Sequence, residues 1–377
     1  MEKNKKLILG VTVGGSSRLL DGQAKHFKSL GYDVYLMSQE HFKEPLFCER
    51  EGIKHLPIAI EKEIAPVADL KTIYYIIKHL VRVKPDIVNL GTPKISLLGL
   101  FSAWILRIPN RIYTCRGFRF ETETGIKRWI LIQMERLTVR FAKKVIYVSP
   151  SLLDRGQGYQ VVNHKKSTVI GKGSSNGVNL SSFNQSIINQ ESRNTLVSKY
   201  NLEGCLVIGF VGRVSLHKGA VELVNVFEKM YNKHPNLRLI LMGHIDCNES
   251  FKQRFESHPA IIHIPFQDDV PLFMSLFDIF VLPSWREGFP NVPIQAAAMG
   301  IPVVVSDATG CIDSVKESFN GKIYPVKNES QLADCLLAYV ENKELRQVHG
   351  KNGMVWANEF QPETIWQGIN AIYKTIE

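Results

Sequence analysis

The sequence predicts an α/β protein of two domains, each a doubly wound parallel sheet with helices on both faces. Three observations support this fold class. The chain has 377 residues, more than one hydrophobic core usually serves. Short apolar runs alternate with longer amphipathic ones along most of the chain, as they do in βαβ units. The apolar runs are continuous, so their strands are expected to be buried on both faces, which is typical of parallel sheets.

The first half of the chain is predicted to form one such domain, over residues 1–185. Apolar runs indicate strands at 6–13, 32–38, 86–91, 111–117 and 143–150. Amphipathic patterns between them indicate helices at 18–30, 69–83, 95–107, 125–142 and 151–158. The regular alternation of strand and helix is that of a doubly wound sheet.

The second half is predicted to repeat this architecture over residues 186–355. A polar segment, 171–194, interrupts the alternation and is predicted to link the two domains. Further strands are expected at 205–212, 237–243, 260–266, 278–284, 301–307 and 321–326. The final segment, 356–377, carries apolar side chains at near-helical spacing, which predicts a helix that crosses back to the first domain.

Two facing sheets of this kind predict an interdomain cleft. Ligands of doubly wound sheets bind outside the carboxyl ends of the strands. Two such edges that face each other would hold one substrate on each side of the cleft. The residues that directly follow the predicted strands are therefore the candidates for a functional site.

Charge is distributed unevenly between the two halves. The formal net charge is +10 at neutral pH. Residues 1–172 hold 29 Lys and Arg against 15 Asp and Glu, and the rest of the chain holds 17 against 21. The basic half predicts an anionic partner, such as a phosphate or an acidic lipid surface, although a solvated basic face would give the same counts. Nucleic acid is not expected, because neither an aromatic and basic recognition motif nor a helix-turn-helix pattern occurs.

Neither a membrane-spanning segment nor an export signal is predicted. No stretch approaches the roughly 20 apolar residues that cross a bilayer. The start, MEKNKKLILGVTVGG, places lysines before an apolar run, but Gly10 interrupts the run and no cleavage pattern follows, so a first strand is predicted. The 6 cysteines include no CxxC pair, which argues against a zinc site and a disulfide framework. We therefore expect a cytoplasmic protein.

Two cations follow the predicted strand 205–212 and are candidates for an anion site. Arg213 comes directly after the strand, and Lys218 precedes Gly219 at the expected start of the next helix. A guanidinium, an ammonium and helix amides at the end of one strand together favour an anion such as phosphate. The alternative is a pair of surface cations near a turn.

The stretch WREGFPNVPIQAAAMG, 285–300, places a carboxylate at the end of another predicted strand. Glu287 follows the strand 278–284, and a helix is expected to begin near Asn291. A carboxylate at this place can accept hydrogen bonds from sugar hydroxyls, and the first helix amides can bind phosphate oxygens. Gln295, eight residues after Glu287, is expected to face the same ligand.

Several motifs in the expected order make the chain resemble a family 4 glycosyltransferase of the GT-B fold, with two facing doubly wound domains and an interdomain cleft. The motifs are Gly14-Gly15, GSSNGVNLSSF (173–183), FVGRVSLHKG (210–219), LMG (241–243), the run over 266–307 and NGKIYPVKN (320–328). The resemblance implies a retaining transfer of a sugar from a nucleotide-diphosphate donor, with no metal and no cofactor. Residues 91–125 are similar to bacterial members that build capsule, exopolysaccharide or O-antigen. This similarity implies a UDP-sugar donor and a glycan or polyprenyl-diphosphate-linked acceptor.

The resemblance also implies roles for the residues at matching positions. Arg213 and Lys218 match the family's diphosphate clamp and Glu287 matches the acid placed against the donor sugar, so these are the candidate catalytic residues. They imply an electrostatic mechanism, in which cations and amides neutralise the departing diphosphate while the acceptor attacks an oxocarbenium-like centre. The other implied donor contacts are Gly14, Gly15, Gly212, Gly243, Gly288, Phe289, Pro290, Asn291 and Val292, and Asn176 is a further candidate.

Two positions depart from the family pattern. Gln295 stands where the second acid of an E-x7-E motif usually holds the nucleotide ribose, and its amide can still hydrogen-bond ribose hydroxyls without charge assistance. Arg116 stands where many relatives carry a histidine, and it could contact donor phosphate or a developing oxyanion, or act as a structural cation. These departures keep open a non-catalytic nucleotide-sugar-binding subunit of a glycan-assembly complex. A nucleotide-sugar epimerase is the other alternative.

Two predicted helical segments of the basic half, 70–84 and 125–144, combine apolar positions with cations. Such helices bind anionic lipid when they lie exposed, and merely cover the sheet when they are packed. Together with the implied lipid-linked acceptor, they predict peripheral attachment to the inner face of the cell membrane.

Overall fold

The computed structural model describes residues 4–13, 15–61 and 63–375. The described residues divide into two compact units. The first unit comprises Met1–Gly177 together with Pro362–Glu377, and the second comprises Val178–Gln361.

The first unit is built on one parallel sheet. Within the described residues its strands are β1 (Lys6–Gly10), β2 (Asp33–Gln39), β3 (Lys54–Ile58), β4 (Ile87–Leu90), β5 (Asn110–Cys115), β6 (Lys144–Tyr147) and β7 (Ser167–Val169). Their spatial order is β3-β2-β1-β4-β5-β6-β7, and all neighbours are parallel. β3 and β7 are not predicted from the sequence, because both lie at edges of the sheet, where strands are short and tolerate proline. β3 contains Pro57, and no residue of β7 is fully buried.

Helices follow the strands of the first unit. They are α1 (Gln23–Ser29), α2 (Lys43–Glu51), α3 (Pro66–Val83), α4 (Pro93–Ile105), α5 (Gly125–Phe141) and α6 (Pro150–Gly158). The sequence analysis does not predict α2. It predicts a single helix over 18–30, but the structure has a 3-10 helix, Ser16–Leu20, and then α1. The break occurs because Gly22 has a φ of 73°, a left-handed conformation that interrupts a helix.

The second unit is also built on a parallel sheet. Within the described residues its strands are β8 (Leu206–Val211), β9 (Val214–Ser215), β10 (Leu237–Met242), β11 (Ile245–Asp246), β12 (Ile261–Ile264), β13 (Ile279–Leu282), β14 (Val303–Ser306) and β15 (Gly321–Tyr324). The main sheet has the order β12-β10-β8-β13-β14-β15, and β9 pairs separately with β11. Every residue of β13 and β14 is buried, as expected of strands covered on both faces. The predicted fold class, doubly wound parallel sheets in both halves, is confirmed.

Helices also flank the strands of the second unit in sequence. They are α7 (Gln190–Lys199), α8 (Ala220–Tyr231), α9 (Glu249–Glu256), α10 (Val270–Met274), α11 (Asn291–Ala298), α12 (Glu329–Glu341) and α13 (Lys343–Ala357). The unit begins at Val178 instead of 186, because the Val178 N–H donates to the Phe360 carbonyl at 2.8 Å and Phe183 packs against the second core. Among the described residues, no helix is both long enough and apolar enough to cross a membrane.

A last helix, α14 (Pro362–Thr375), belongs to the first unit. Ile365, Ile369 and Tyr373 are spaced four residues apart on one face and are at most 2% exposed in the first core. The Tyr373 hydroxyl accepts a hydrogen bond from the Asn89 side-chain amide at 2.8 Å. The core of the first unit therefore includes side chains that follow the whole second unit in sequence.

Candidate active site

Lys218 and Glu287 meet at the carboxyl edge of the second sheet. Lys218 ends a 3-10 helix, Leu216–Lys218, that leads from β9 into α8, and Glu287 lies in the turn after β13. Gly219 lets α8 begin close to the end of β13, since its φ is 71° and a Cβ atom there would lie 2.0 Å from the Pro283 carbonyl oxygen. The Lys218 ammonium consequently forms an ion pair with the Glu287 carboxylate.

The Glu287 carboxylate is fixed by further hydrogen bonds. Its Oε1 atom accepts a hydrogen bond from the Ser284 hydroxyl at 2.7 Å, and the Glu287 N–H donates to the Thr309 carbonyl at 2.8 Å. The Ser306 hydroxyl donates in turn to the Ser284 carbonyl. The side chains of Lys218 and Glu287 are 23% and 16% exposed, so the pair is shielded yet reachable from solvent. An ammonium and a carboxylate are thus held side by side.

Arg213 lies apart from this pair. Its Nη1 atom forms an ion pair with Asp246 Oδ2 at 3.0 Å, and the two side chains are 62% and 61% exposed. The contact follows from the pairing of β9 with β11, which brings Asp246 close to Arg213. Within the described residues, no hydrogen bond or ion pair joins Arg213 to Lys218 or Glu287. The sequence analysis misses Asp246, because a strand of two residues leaves no readable pattern.

The ends of β8 and β10 approach each other closely. Gly243 has a φ of 141°, and a Cβ atom there would lie 2.0 Å from the Gly212 carbonyl oxygen, so a larger residue would displace the backbone. Beside Gly243, the His244 ring stacks on the Phe266 ring with centroids 5.6 Å apart and planes at 8°. Phe266 is 42% exposed. The sequence analysis misses this aromatic surface, since Phe266 ends the apolar run AIIHIPF and looks like a buried strand residue.

The turn after Glu287 is packed into the second unit. The Phe289 side chain is 9% exposed and lies against Phe360, with ring centroids 5.2 Å apart. Of the other predicted contacts in this turn, Pro290 is buried, and Gly288, Asn291 and Val292 are partly exposed. Pro293, at the third position of α11, carries no N–H, which reduces the number of amides that this helix end can offer a phosphate.

Gln295 lies on α11 and is partly exposed. No hydrogen bond joins its side chain to another residue in the part of the chain that the structure describes. Its amide therefore retains donors and acceptors for a ligand, but it brings no charge to the site.

The predicted glycine loop of the first unit is occupied by a carboxylate. Gly14 lies outside the described residues. Gly15 has a φ of 83°, and its N–H donates to Glu44 Oε1. Glu44 is 0% exposed, and among the described residues its Oε2 atom has no hydrogen-bond partner. A phosphate that used the Gly15 amide would have to displace this carboxylate.

Arg116 follows β5 and is enclosed by neighbouring loops. Its guanidinium lies over Gly91, where an added Cβ atom would be 1.3 Å from Nη1, and its Nε donates to the Ser175 hydroxyl at 2.8 Å. Burial lowers the pKa of Arg116 to about 10, which leaves it a cation at neutral pH. It is thus a fixed positive charge at the carboxyl edge of the first sheet.

Asn176 forms a bridge inside the first unit. Its Oδ1 atom accepts hydrogen bonds from Gln23 Nε2 at 3.1 Å and from Trp366 Nε1 at 2.7 Å. Its Nδ2 atom donates to the Asp21 carbonyl at 2.7 Å. These bonds connect the loop before α1 with α14, and they do not include any of the other predicted site residues.

The side chains of Lys218 and Glu287 suit a reaction in which charge is stabilised electrostatically. An ammonium such as that of Lys218 can neutralise charge that develops on a leaving phosphate, and a carboxylate such as that of Glu287 can accept hydrogen bonds from hydroxyls. Within residues 4–13, 15–61 and 63–375, no group of three His, Cys, Asp or Glu side chains could hold a metal ion. That the chemistry needs no metal stays a prediction.

Comparison with protein families gives two matches. Residues 13–181 match the family model described as glycosyltransferase family 4, and residues 192–356 match the model described as glycosyl transferases group 1. A capsular polysaccharide biosynthesis glycosyltransferase of Staphylococcus aureus is 33% identical over 380 residues, which cover 99% of this chain and 98% of the relative.

Two further proteins are similar along most of the chain. A Campylobacter jejuni protein is 25% identical over 82% of both chains, and it is an N,N'-diacetylbacillosaminyl-diphospho-undecaprenol alpha-1,3-N-acetylgalactosaminyltransferase. Among solved structures, the HepE protein of Anabaena in complex with UDP and glucose gives a TM-score of 0.81 at 18% identity. That superposition covers 99% of this chain and 100% of the other, so the two share a fold.

Proposed function

The chain belongs to glycosyltransferase family 4, and we propose that it transfers a sugar, with retention, from a UDP-sugar to a polyprenyl-diphosphate-linked acceptor. The proposed transfer is a step in the synthesis of a capsular or related polysaccharide. The family resemblance and the GT-B fold expected from the motifs are confirmed. The donor, the acceptor and the roles of individual residues belong to the proposal.

The contact between Lys218 and Glu287 carries the proposal. The two charges lie in the segments that follow β8 and β13, which are neighbouring strands. Ligands of a parallel sheet bind at this edge. Lys218 would stabilise the negative charge on the departing diphosphate, and Glu287 would orient hydroxyls of the transferred sugar. Arg213, which is exposed and paired with Asp246, would bind the diphosphate from the adjacent turn.

Two observations favour UDP as the nucleotide. The structurally similar Anabaena protein was solved with UDP and glucose. The exposed ring pair of His244 and Phe266 offers a nucleobase an aromatic face at the ends of β10 and β12. His244 directly follows Gly243, one of the predicted donor contacts, and Phe266 stacks on the His244 ring.

The relatives favour a lipid-linked acceptor. The Staphylococcus protein is named for capsular polysaccharide biosynthesis, and the name of the Campylobacter protein describes transfer to a sugar on diphospho-undecaprenol. The positive charge of residues 1–172 suits an acceptor that carries a diphosphate.

Product formation tests the proposal directly. We expect the purified chain, supplied with a mixture of UDP-sugars and a bacterial lipid extract, to release UDP and to add one sugar to a lipid in the extract, as measured by a coupled UDP assay and mass spectrometry. Saturable nucleotide-sugar binding without UDP release would instead indicate a non-catalytic subunit. A changed donor sugar in the absence of any acceptor would indicate an epimerase.

Gln295→Glu is expected to tighten UDP binding by about 5-fold at low salt, because a charge-assisted hydrogen bond is about twice as strong as a neutral one. Isothermal titration of UDP measures the change. Gln331→Glu adds the same charge on an exposed position of α12 and serves as the control. Equal UDP affinity in Gln295→Glu and the unmodified protein would show that Gln295 does not face the ribose.

We also propose that α5 attaches the first unit to the inner face of the cell membrane. The helix exposes Ile126 (72%), Trp129 (58%) and Ile130 (39%) to solvent. Lys127 and Arg136 are exposed on the same helix. Apolar side chains interspersed with cations suit an anionic bilayer surface.

Exchange of the exposed apolar groups tests this attachment. Ile126→Ser combined with Trp129→Ala is expected to abolish sedimentation with phosphatidylglycerol vesicles, because it removes the side chains that would enter the bilayer. Val348→Ser, at a 47% exposed position of the second unit, is the control and should sediment normally. If the unmodified protein does not bind these vesicles even at low salt, the attachment is excluded.

A further inference from the structure

A small cavity lies at the carboxyl edge of the first sheet, away from the charged pair of the second unit. Its wall is formed by Lys94 at the start of α4, by Phe120 after β5, and by Leu131, Met134 and Glu135 of α5. β4 and β5 end just before the segments that contribute Lys94 and Phe120. The cavity therefore occupies the edge at which a doubly wound sheet receives its ligand.

The size of the cavity restricts what it can hold. Its volume is about 40 Å³. A single water-sized group needs about 10–15 Å³, so there is room for roughly three non-hydrogen atoms. A hexose ring, a five-carbon isoprene unit and a phosphate with its oxygens are all larger than this.

The cations beside the cavity already have partners. Lys94 is 7% exposed, forms an ion pair with Asp69 at 2.6 Å and donates to the Glu63 carbonyl. Arg119 pairs with the Glu63 carboxylate at 3.3 Å. With its positive charges balanced in this way, the cavity does not favour an anion.

Glu135 contributes a carboxyl group to the wall of this cavity. It is 7% exposed, and its carboxyl faces the side chains of Tyr113 and Cys115 on β5, with Cys115 Sγ at 3.9 Å from Oε1. Thr138, also on the wall, donates to the Met134 carbonyl at 2.9 Å and is thus used within the helix. Apart from these two side chains and the paired cations, the lining is apolar, which suits a ligand group with a methyl and one polar end.

We propose that this cavity binds the N-acetyl group of the acceptor sugar, so that the enzyme selects an acceptor whose terminal residue is an acetamido sugar. The inference rests on the proposed function, because it assigns the acceptor to this edge of the first sheet. An acetyl group has three non-hydrogen atoms, which match the volume, and its methyl would lie among Phe120, Leu131 and Met134. The acetamide would hydrogen-bond the Glu135 carboxyl.

The protonation of Glu135 suits an amide ligand. Burial raises the pKa of Glu135 to about 7, so both protonation states are populated near neutral pH. The protonated carboxyl can donate to the acetamide carbonyl, and the carboxylate can accept from the acetamide N–H. A 2-hydroxyl group in place of the acetamide has no methyl to bury against the apolar wall.

Acceptors that differ at one group test the proposal. The probes are undecaprenyl-diphosphate-linked N-acetylglucosamine and N-acetylgalactosamine, the corresponding 2-hydroxy sugars, and the N-butanoyl analogues, each with the UDP-sugar mixture. We expect kcat/KM to be at least about 10-fold higher for acetamido than for hydroxy acceptors, from one methyl and one hydrogen bond. The N-butanoyl analogues, two carbons longer, should be rejected to a similar extent.

Met134→Ala should reverse that rejection. By enlarging the cavity, it is expected to raise kcat/KM for the N-butanoyl acceptors through a lower KM, which a purely structural role of Met134 would not produce. Leu137→Ala, at a 43% exposed position of α5 outside the cavity, is the matched control and should leave the preference unchanged. Thermal unfolding of both variants confirms that they are folded.

Each outcome decides a separate point. Equal transfer to acetamido and hydroxy acceptors, or an unchanged preference in Met134→Ala, overturns the cavity assignment and leaves the proposed function intact. UDP release with the lipid extract but with none of the purified acceptors also overturns it. Absence of UDP release even with the extract is a failure of the proposed function itself.

Discussion

Lys218→Ala is expected to lower kcat for sugar transfer by about 100-fold or more, the usual cost of removing one preorganised stabiliser of transition-state charge. The ammonium is 23% exposed and already fixed on Glu287, so little reorganisation is needed when the diphosphate arrives. A coupled assay of UDP release measures the loss. Lys218→Arg, which keeps the charge with a different shape, should retain an intermediate rate.

Controls separate this effect from a general loss of charge. Lys229→Ala removes a cation from α8, the helix that follows Lys218, at a position that is 73% exposed and paired with Glu329, and it should keep full activity. Arg213→Ala is expected to lower kcat less than Lys218→Ala does, because the Arg213 side chain is mostly exposed and its charge is more strongly screened by solvent. Turnover close to that of the unmodified protein in both Lys218→Ala and Arg213→Ala would refute the diphosphate clamp.

Glu287→Gln is expected to reduce transfer by about 100-fold while leaving UDP affinity within a few-fold of normal, because the charge that orients the sugar is lost and the nucleotide contacts remain. The amide is nearly isosteric and can still accept from the Ser284 hydroxyl, which limits any structural disturbance. Titration with UDP and with UDP-sugars, together with the rate of transfer, separates sugar orientation from nucleotide binding.

Graded variants define the role of the carboxylate. Ser284→Ala removes one neutral hydrogen bond to Glu287 and should cost about 5-fold to 10-fold in rate. Glu329→Gln changes another carboxylate of the second unit that pairs with a lysine, and it should leave the rate unaltered. If Glu287→Gln instead weakens UDP itself as much as transfer, the carboxylate acts on the nucleotide and not on the sugar.

The fold was predictable because buried parallel strands are continuous apolar runs. Strands such as β13, with every residue buried, are read directly from the sequence. The edge strands β3 and β7 were missed, since a strand that lies at an edge needs neither length nor an uninterrupted apolar run. The strand order is set by contacts distant in sequence, and no local pattern specifies it.

The sequence predicts which residues belong to the candidate site, but it does not predict which of them contact each other. Lys218 and Glu287 both stand at strand ends, but their direct pairing depends on β8 lying beside β13 and on Gly219 approaching Pro283. The partner of Arg213 lies on a two-residue strand that has no sequence signature. Glu44, which accepts the Gly15 N–H, was missed because the helix α2 that carries it was not predicted.

The position of α14 has a consequence for how the protein is made. On the ribosome, the second unit is a continuous stretch that can fold as soon as it leaves the exit tunnel. The first unit emerges earlier, yet Ile365, Ile369 and Tyr373 of its core are translated only afterwards. Until α14 is synthesised, the apolar side chains that it covers in the first unit therefore stay exposed, and we expect chaperones to bind the nascent chain at that stage.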